Sequence, residues 1–274
     1  MKTFAGLSLD RPRIMGIVNA TPDSFSDGGE AFAFDDAVKR GLQMIEDGAD
    51  IIDVGGESTR PGATPVGLDE EIRRTVPVIE RLVNAGALVS IDTRHALVMK
   101  AAIDAGAKIV NDVSALTGAG AVDVVAKSDA DVVLMHMQGL PKTMQDDPSY
   151  KDAPAQVLAY LQDRIGVCEA AGIPRNRIAV DPGIGFGKTV DNNLDILRRL
   201  NDYDELGMLV LLGVSRKSFI GAIADEPDAQ KRLAGSIAAA LFAVEQGVSI
   251  LRVHDVPQTR QALNIWSALT DAHA

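Results

Sequence analysis

The sequence predicts a (β/α)8, or TIM, barrel of the α/β class. Three observations carry that expectation: eight short apolar runs recur along 274 residues, helical periodicity lies between them, and a Gly-Ala or Gly-aliphatic pair precedes five of the runs. The runs span 13–19 (RIMGIVN), 50–55, 88–93, 107–113, 131–137, 177–183, 208–215 and 249–255. Each has the length and near-continuous apolarity of a parallel strand covered on both faces.

The helical segments follow from spacing. Ile72, Val76, Ile79 and Val83 recur every three or four residues after an acidic start at Asp69, Glu70 and Glu71, which suits the positive end of a helix dipole. The pairs Gly48-Ala49, Gly86-Ala87, Gly106-Ala107, Gly172-Ile173 and Gly247-Val248 place glycine where a helix ends in a left-handed residue. A length of about 250 residues is usual for a closed barrel, and no Gly-rich dinucleotide turn follows the first run. The expectation is one domain over residues 1–274, with no Pro/Ser-rich linker to divide it.

Composition narrows the class further. A hydrophobic fraction of 46% supplies a full core, and a formal charge of −11 argues against a nucleic-acid footprint, which needs clustered Lys and Arg. The start, MKTFAGLSLDRPR, lacks the apolar centre of a secretory signal, and no run approaches a membrane span, so a cytoplasmic enzyme is expected. Cys168 is the only cysteine, which rules out an internal disulfide and a Cys-based zinc cage; a packing role is expected.

In a barrel of this kind the chemistry sits where strands run into the following loops. Those ends carry Asn19, Glu57 with Arg60, Asp92, Asn111 with Asp112, His136, Asp181, Lys217, and Arg252 with His254. Two connections, from Asn19 and from Gly55, are long and polar, as binding loops are. Asp92, Asn111 and Asp181 suit a flat heterocycle bearing N–H donors. Asn19, Arg60, Arg252 and His254 suit a phosphate-like anion with a divalent cation. Arg252 and His254 alternate on the last strand and so share a face.

The strings MGIVNATPDSFSDGG (15–29), GGESTRPGA (55–63), SIDT (90–93), NDVSA (111–115), DPGIGFGKT (181–189), SRKSFIG (215–221) and RVHDV (252–256) closely resemble the dihydropteroate synthase family, in order and over nearly the whole chain. Ala20 and Phe219 depart from the family's usual apolar residues without touching a polar position. The resemblance implies condensation of 6-hydroxymethyl-7,8-dihydropterin pyrophosphate with p-aminobenzoate, giving 7,8-dihydropteroate and pyrophosphate, in an enzyme inhibited by sulfonamides. It implies pterin contacts at Asp92, Asn111, Met135, Asp181 and Lys217, and pyrophosphate contacts at Asn19, Thr59, Arg60, Arg252 and His254. The p-aminobenzoate pocket would comprise Phe25, Thr59, Pro61, Phe186, Lys217 and Ser218. Catalytic weight falls on Asp92, Lys217, Arg252 and Asp23. Mg²⁺ is implied as cofactor, with Asn19 as its protein ligand, and a homodimer as the assembly.

Competing readings stand beside these. Asp92 and Asp181 could be strand-end helix caps or members of structural salt bridges, Lys217 a Schiff-base lysine, and His254 a buried structural histidine. A pterin-dependent methyltransferase would share the Asp/Asn pocket without needing an anion clamp, and a silent relative would bind pterin without turnover. DPGIGFGKT is not a P-loop, because Pro182 stands where a glycine is required. His136 lacks a second histidine at ligand spacing, so packing or an indirect contact is expected. Met135 and Met137 face opposite sides, with Met135 expected on the pterin side, and Trp266 is expected to pack within its own chain.

Overall fold

A computed structural model describes residues 3–20, 29–57, 66–140 and 143–270. Eight parallel strands close into a barrel: β3 (Arg13–Asn19), β4 (Ile51–Gly55), β5 (Val89–Asp92), β6 (Ile109–Asp112), β7 (Asp131–Met135), β8 (Ile178–Asp181), β9 (Leu209–Leu212) and β10 (Ile250–Val253), with β10 pairing β3 to complete the ring. Each falls inside one of the eight apolar runs. The helices α1 (Gly29–Glu46), α2 (Leu68–Asn84), α3 (Ala96–Asp104), α4 (Ala121–Ala126), α5 (Ala153–Ala170), α6 (Val190–Arg198), α7 (Ser218–Ala224), α8 (Leu233–Glu245) and α9 (Val256–Thr270) lie between or after the strands. All five glycines expected to end helices have positive φ, between +85° and +105°. Among the described residues, no helix is long and apolar enough to cross a membrane.

Strand alternation divides the core in two. Outward residues such as Ile14, Val18, Ile52, Val54, Ile91, Val132 and Leu251 pack beneath the helices. Inward residues Met15, Ile51, Ile109, Val133, Ala179, Leu209, Leu211 and Ile250 fill the lower barrel. Cys168 on α5 is buried in the outer layer, where burial pushes its thiol up to about 11, so it serves as a small packing residue. Trp266 packs against its own core and lies 3.3 Å from Glu245 Oε1.

Two features depart from the expectations. The buried face of α2 is centred on Glu71, Thr75, Val78, Ile79 and Leu82, one residue round from the anticipated stripe, so Ile72, Val76 and Val83 are only half-buried. Thr75 tolerates that position because its hydroxyl donates to Glu71 O at 2.8 Å. The N-terminus, which lies outside the eight apolar runs, forms a hairpin from β1 (Thr3–Phe4) and β2 (Leu7–Ser8) that inserts Phe4 into the inner cluster and closes the barrel floor. Arg13 fixes this hairpin by donating from Nε to Ser8 O at 2.6 Å and from Nη2 to Asp10 at 2.7 Å.

Phe4→Ala therefore opens the floor. The expected cost is about 3 kcal/mol of stability, read by urea denaturation, with the pocket at the opposite end of the barrel retaining its ligand affinity.

Candidate active site

The inward files change character as they climb. On β4 the sequence Ile51, Asp53, Gly55 rises from the apolar floor; β5 ends in Asp92, β6 carries Asn111, β7 ends in Met135, β8 ends in Asp181, and β10 presents Arg252. Register sets Asp92 beside Asn111 and Met135 beside Asp181. These side chains line one pocket with Val113, Gly183, Ile184, Phe186, Gly213 and Lys217. All five residues expected to hold a heterocycle are thus brought together.

The pocket is organised around Arg252. Its Nε donates to Asp53 Oδ2 at 2.6 Å and its Nη2 to Asp92 Oδ2 at 2.7 Å. Burial opposes the guanidinium charge, but the two carboxylates more than offset it and hold Arg252 protonated. Asp53 Oδ2 also accepts from Asn111 Nδ2 at 3.1 Å, which fixes the amide. Burial pushes Asp92 up to about 7, with Arg252 pulling down and Asp53 pushing up. Its Oδ1 is buried and unbonded among the described residues, so one acceptor stands ready for a ligand donor.

Opposite lie Asp181 and Lys217. Burial raises Asp181, against the Gly183 N–H that donates to its Oδ1 at 2.7 Å and against Lys217, Arg252 and Lys188. Burial brings Lys217 down to about 8, while Asp181 holds it up. Its Nζ sits 4.1 Å from the Phe186 ring centroid, a cation–π contact that ties the ammonium to an aromatic face.

The anion-facing set is more dispersed. Arg252, expected to share a face with His254, directs two donors to Asp53 and Asp92 inside the barrel. His254 lies beyond this pocket. Its backbone N–H donates to Ser215 Oγ at 3.2 Å, so the hydroxyl proton is available to Nδ1 at 3.0 Å. Burial and nearby Arg252 and Arg216 bring His254 down to about 3. It is therefore a neutral imidazole, with Nδ1 engaged by Ser215 Oγ. Asn19 ends β3 beside Gly55, and the exposed Ser218 opens α7. Asp23, Phe25, Thr59, Arg60 and Pro61 lie outside the described residues.

Two functional residues were not singled out from the sequence. Asp53 shares the inward file of Ile51 and Gly55, and a charge inside an apolar run was the signal for it. Lys188 ends the glycine-rich turn: its buried Nζ lies 2.9 Å from His136 Nδ1 and donates to Gly183 O at 2.9 Å and Phe186 O at 3.0 Å. The turn thus directs carbonyls at its own lysine. Gly183 and Gly187 have φ of +69° and +59°, and a Cβ at Gly183 would fall 1.9 Å from His136 O, so only glycine lets the turn lie on the end of β7. His136 packs edge-on against Tyr160, and burial with Lys188 brings it down to about 3, leaving Nδ1 as an acceptor.

A barrel mouth with two buried carboxylates, an amide and an ammonium around one pocket defines a site for a flat, nitrogen-rich ring. The chain belongs to the family of pterin-binding enzymes, whose model, described as "Pterin binding enzyme", matches residues 15–254. Among its relatives, dihydropteroate synthase of Haemophilus influenzae is 46% identical over 276 residues, covering 99% of this chain and 100% of that protein. The Xanthomonas albilineans dihydropteroate synthase solved with 4-aminobenzoic acid superposes with a TM-score of 0.92 at 50% identity, covering 96% of this chain and 95% of that one. The same enzyme with 7,8-dihydropteroate gives a TM-score of 0.89 at 47% identity over the same shares.

Burial brings Lys188 down to about 7 from an ordinary 10.5, so between those values the unfolded chain holds a proton that the folded chain releases. Stability should therefore rise with pH across that window. In Lys188→Met the rise should be shallower, measured by urea denaturation at stepped pH.

Proposed function

We propose that this protein is a dihydropteroate synthase: it joins 6-hydroxymethyl-7,8-dihydropterin pyrophosphate to p-aminobenzoate through a new C–N bond and releases pyrophosphate. The observation that carries this reading is the convergence of Asp92, Asn111, Asp181 and Lys217 on one enclosed pocket with Met135 and Phe186 in its wall. The family match and the bound ligands of the Xanthomonas albilineans structures support it.

The chemistry follows from the charges. A pterin edge bearing an amino group and ring N–H groups finds acceptors in Asp92, Asn111 and Asp181, and its carbonyl side finds the Lys217 ammonium. Departure of pyrophosphate leaves positive charge on the exocyclic methylene, delocalised into the ring, where the ionised Asp92 carboxylate stabilises it. The p-aminobenzoate nitrogen then attacks that carbon and sheds a proton. Phe186, with Lys217 over its face, supplies an apolar wall and a cation for the aromatic acid, together with Ser218, Phe25, Thr59 and Pro61. His254 and Arg60 are assigned to the leaving group with Thr59 and Asn19. Arg252 is assigned there too, and it additionally orients Asp92. Asp23 is assigned a catalytic role.

The Asn19 amide at the rim is one oxygen donor, which fits Mg²⁺, an ion that keeps several waters and binds chiefly through substrate phosphates. When bound it would neutralise the departing pyrophosphate. We assign the chain as one barrel domain working in the cytoplasm as a homodimer. Exposed Ile223 on α7, Phe242 on α8, and Ile265 and Leu269 on α9 support pairing with a second copy.

The direct test incubates the protein with pterin pyrophosphate, p-aminobenzoate and Mg²⁺ and follows dihydropteroate and pyrophosphate. Equal yields, suppressed by a sulfonamide, are expected; pterin binding without product would point to a silent relative or a methyltransferase. Asp92→Asn should fold normally and lose about 10²-fold in rate. Because Asp92 must be ionised and titrates near 7, pterin affinity should rise as pH increases through that value and level off above it. Asp92→Asn should show no such step, and calorimetric titration with 6-hydroxymethylpterin reads both.

A further inference from the structure

We propose that Glu57, Glu71 and His95 form a binding site for a divalent transition-metal cation, separate from the pterin pocket. Glu57 follows the end of β4, Glu71 lies in the first turn of α2, and His95 caps α3 just after β5. His95 Nε2 lies 3.5 Å from Glu57 Oε2 and 4.0 Å from Glu71 Oε2, and one ligand atom from each residue falls within 4.8 Å of the others. A cation held at about 2.0–2.2 Å by each ligand in tetrahedral array separates its ligand atoms by about 3.4 Å. Small side-chain rotations bring the three groups to that spacing.

The burial of Glu71 distinguishes this cluster from ordinary surface acids. Its side chain is 1% exposed, and among the described residues neither carboxylate oxygen has a hydrogen bond of normal geometry, the Thr93 hydroxyl being the side-chain donor that acts on it. Burial raises its pKa; the Thr93 hydroxyl and His95 work the other way, while Glu57 adds to the rise. Thr93 Oγ1 also accepts the His95 N–H at 3.2 Å, which steadies the start of α3. On Glu57, Arg94 occupies Oε1 at 3.0 Å, and Oε2 is buried without a hydrogen bond among the described residues. Among the described residues, three buried carboxylate oxygens thus lack a hydrogen bond of normal geometry around one imidazole. An unsatisfied buried carboxylate is costly, and a cation satisfies two of them together.

Donor chemistry sets the class of ion. Two carboxylates with an imidazole favour Zn²⁺, Mn²⁺ or a similar first-row ion over Mg²⁺ or Ca²⁺, which prefer oxygen throughout. Three protein ligands leave a further position for water. A bound ion would brace the ends of β4 and β5 against the start of α2, fixing Glu57 at the root of the segment 58–65.

The test is calorimetric titration of chelator-stripped protein with Zn²⁺, and separately Mn²⁺, without any pyrophosphate, so that it reports independently of turnover. Saturation at one equivalent is expected, with affinity reduced about tenfold or more in His95→Ala and in Glu71→Gln, and unchanged in Asn19→Ala. Thermal melting checks that both variants fold, and His95→Ala, at a half-buried position, remains available if the α2 variant does not. Failure of the wild-type protein to bind either ion, or binding that survives both substitutions, would overturn the proposal and assign the cluster to a shared proton.

Discussion

The Arg252 guanidinium, held between the carboxylates of Asp53 and Asp92, is the interaction on which the site depends. It sits where the inner layer of the barrel turns from apolar to polar, and it links β10, β4 and β5 across the lumen. Two carboxylates this deep, with no cation between them, would repel and take up protons. With Arg252 in place, Asp53 is spent on structure and Asp92 keeps one oxygen for a ligand. A single buried cation thus converts a pair of acids into one anchor and one working group.

The opposite wall uses the same device in another form. Lys188 gathers the carbonyls of the 183–187 turn and the imidazole of His136 behind Asp181, and Lys217 faces Asp181 from the pocket side. Asp181 therefore lies under the influence of two ammonium groups, and the Gly183 N–H donates to its Oδ1. Burial would otherwise favour the neutral acid on both walls. The fold counters it with cations placed at strand ends by register.

Most of the barrel was legible because parallel strands covered on both faces leave continuous apolar runs, and glycine marks each of five helix ends. The hairpin at the floor was not, since two-residue strands have no period and the value of Phe4 arises from partners far along the chain. The face of α2 was misplaced by one residue because Glu71, read as part of the acidic helix start, turns inward. The strand-end residues of the pocket were visible in sequence, and their grouping followed from barrel closure. Asp53 was passed over inside an apolar run, although alternation from Ile51 placed it inward. Lys188 was set aside with the P-loop reading, and its role emerged only from the turn's own carbonyls. The division of labour of Arg252 was hidden as well, since it depends on side-chain geometry across the lumen.

The central claim, that Asp53 acts on the ligand through Arg252 and Asp92, is tested most directly by the pH dependence of pterin affinity in Asp53→Asn. Asp53 is one of the charges pushing Asp92 up, so its removal should move the midpoint of the binding profile clearly below that of the wild-type protein. A midpoint that stays in place, in a variant that folds and binds pterin, would contradict the account.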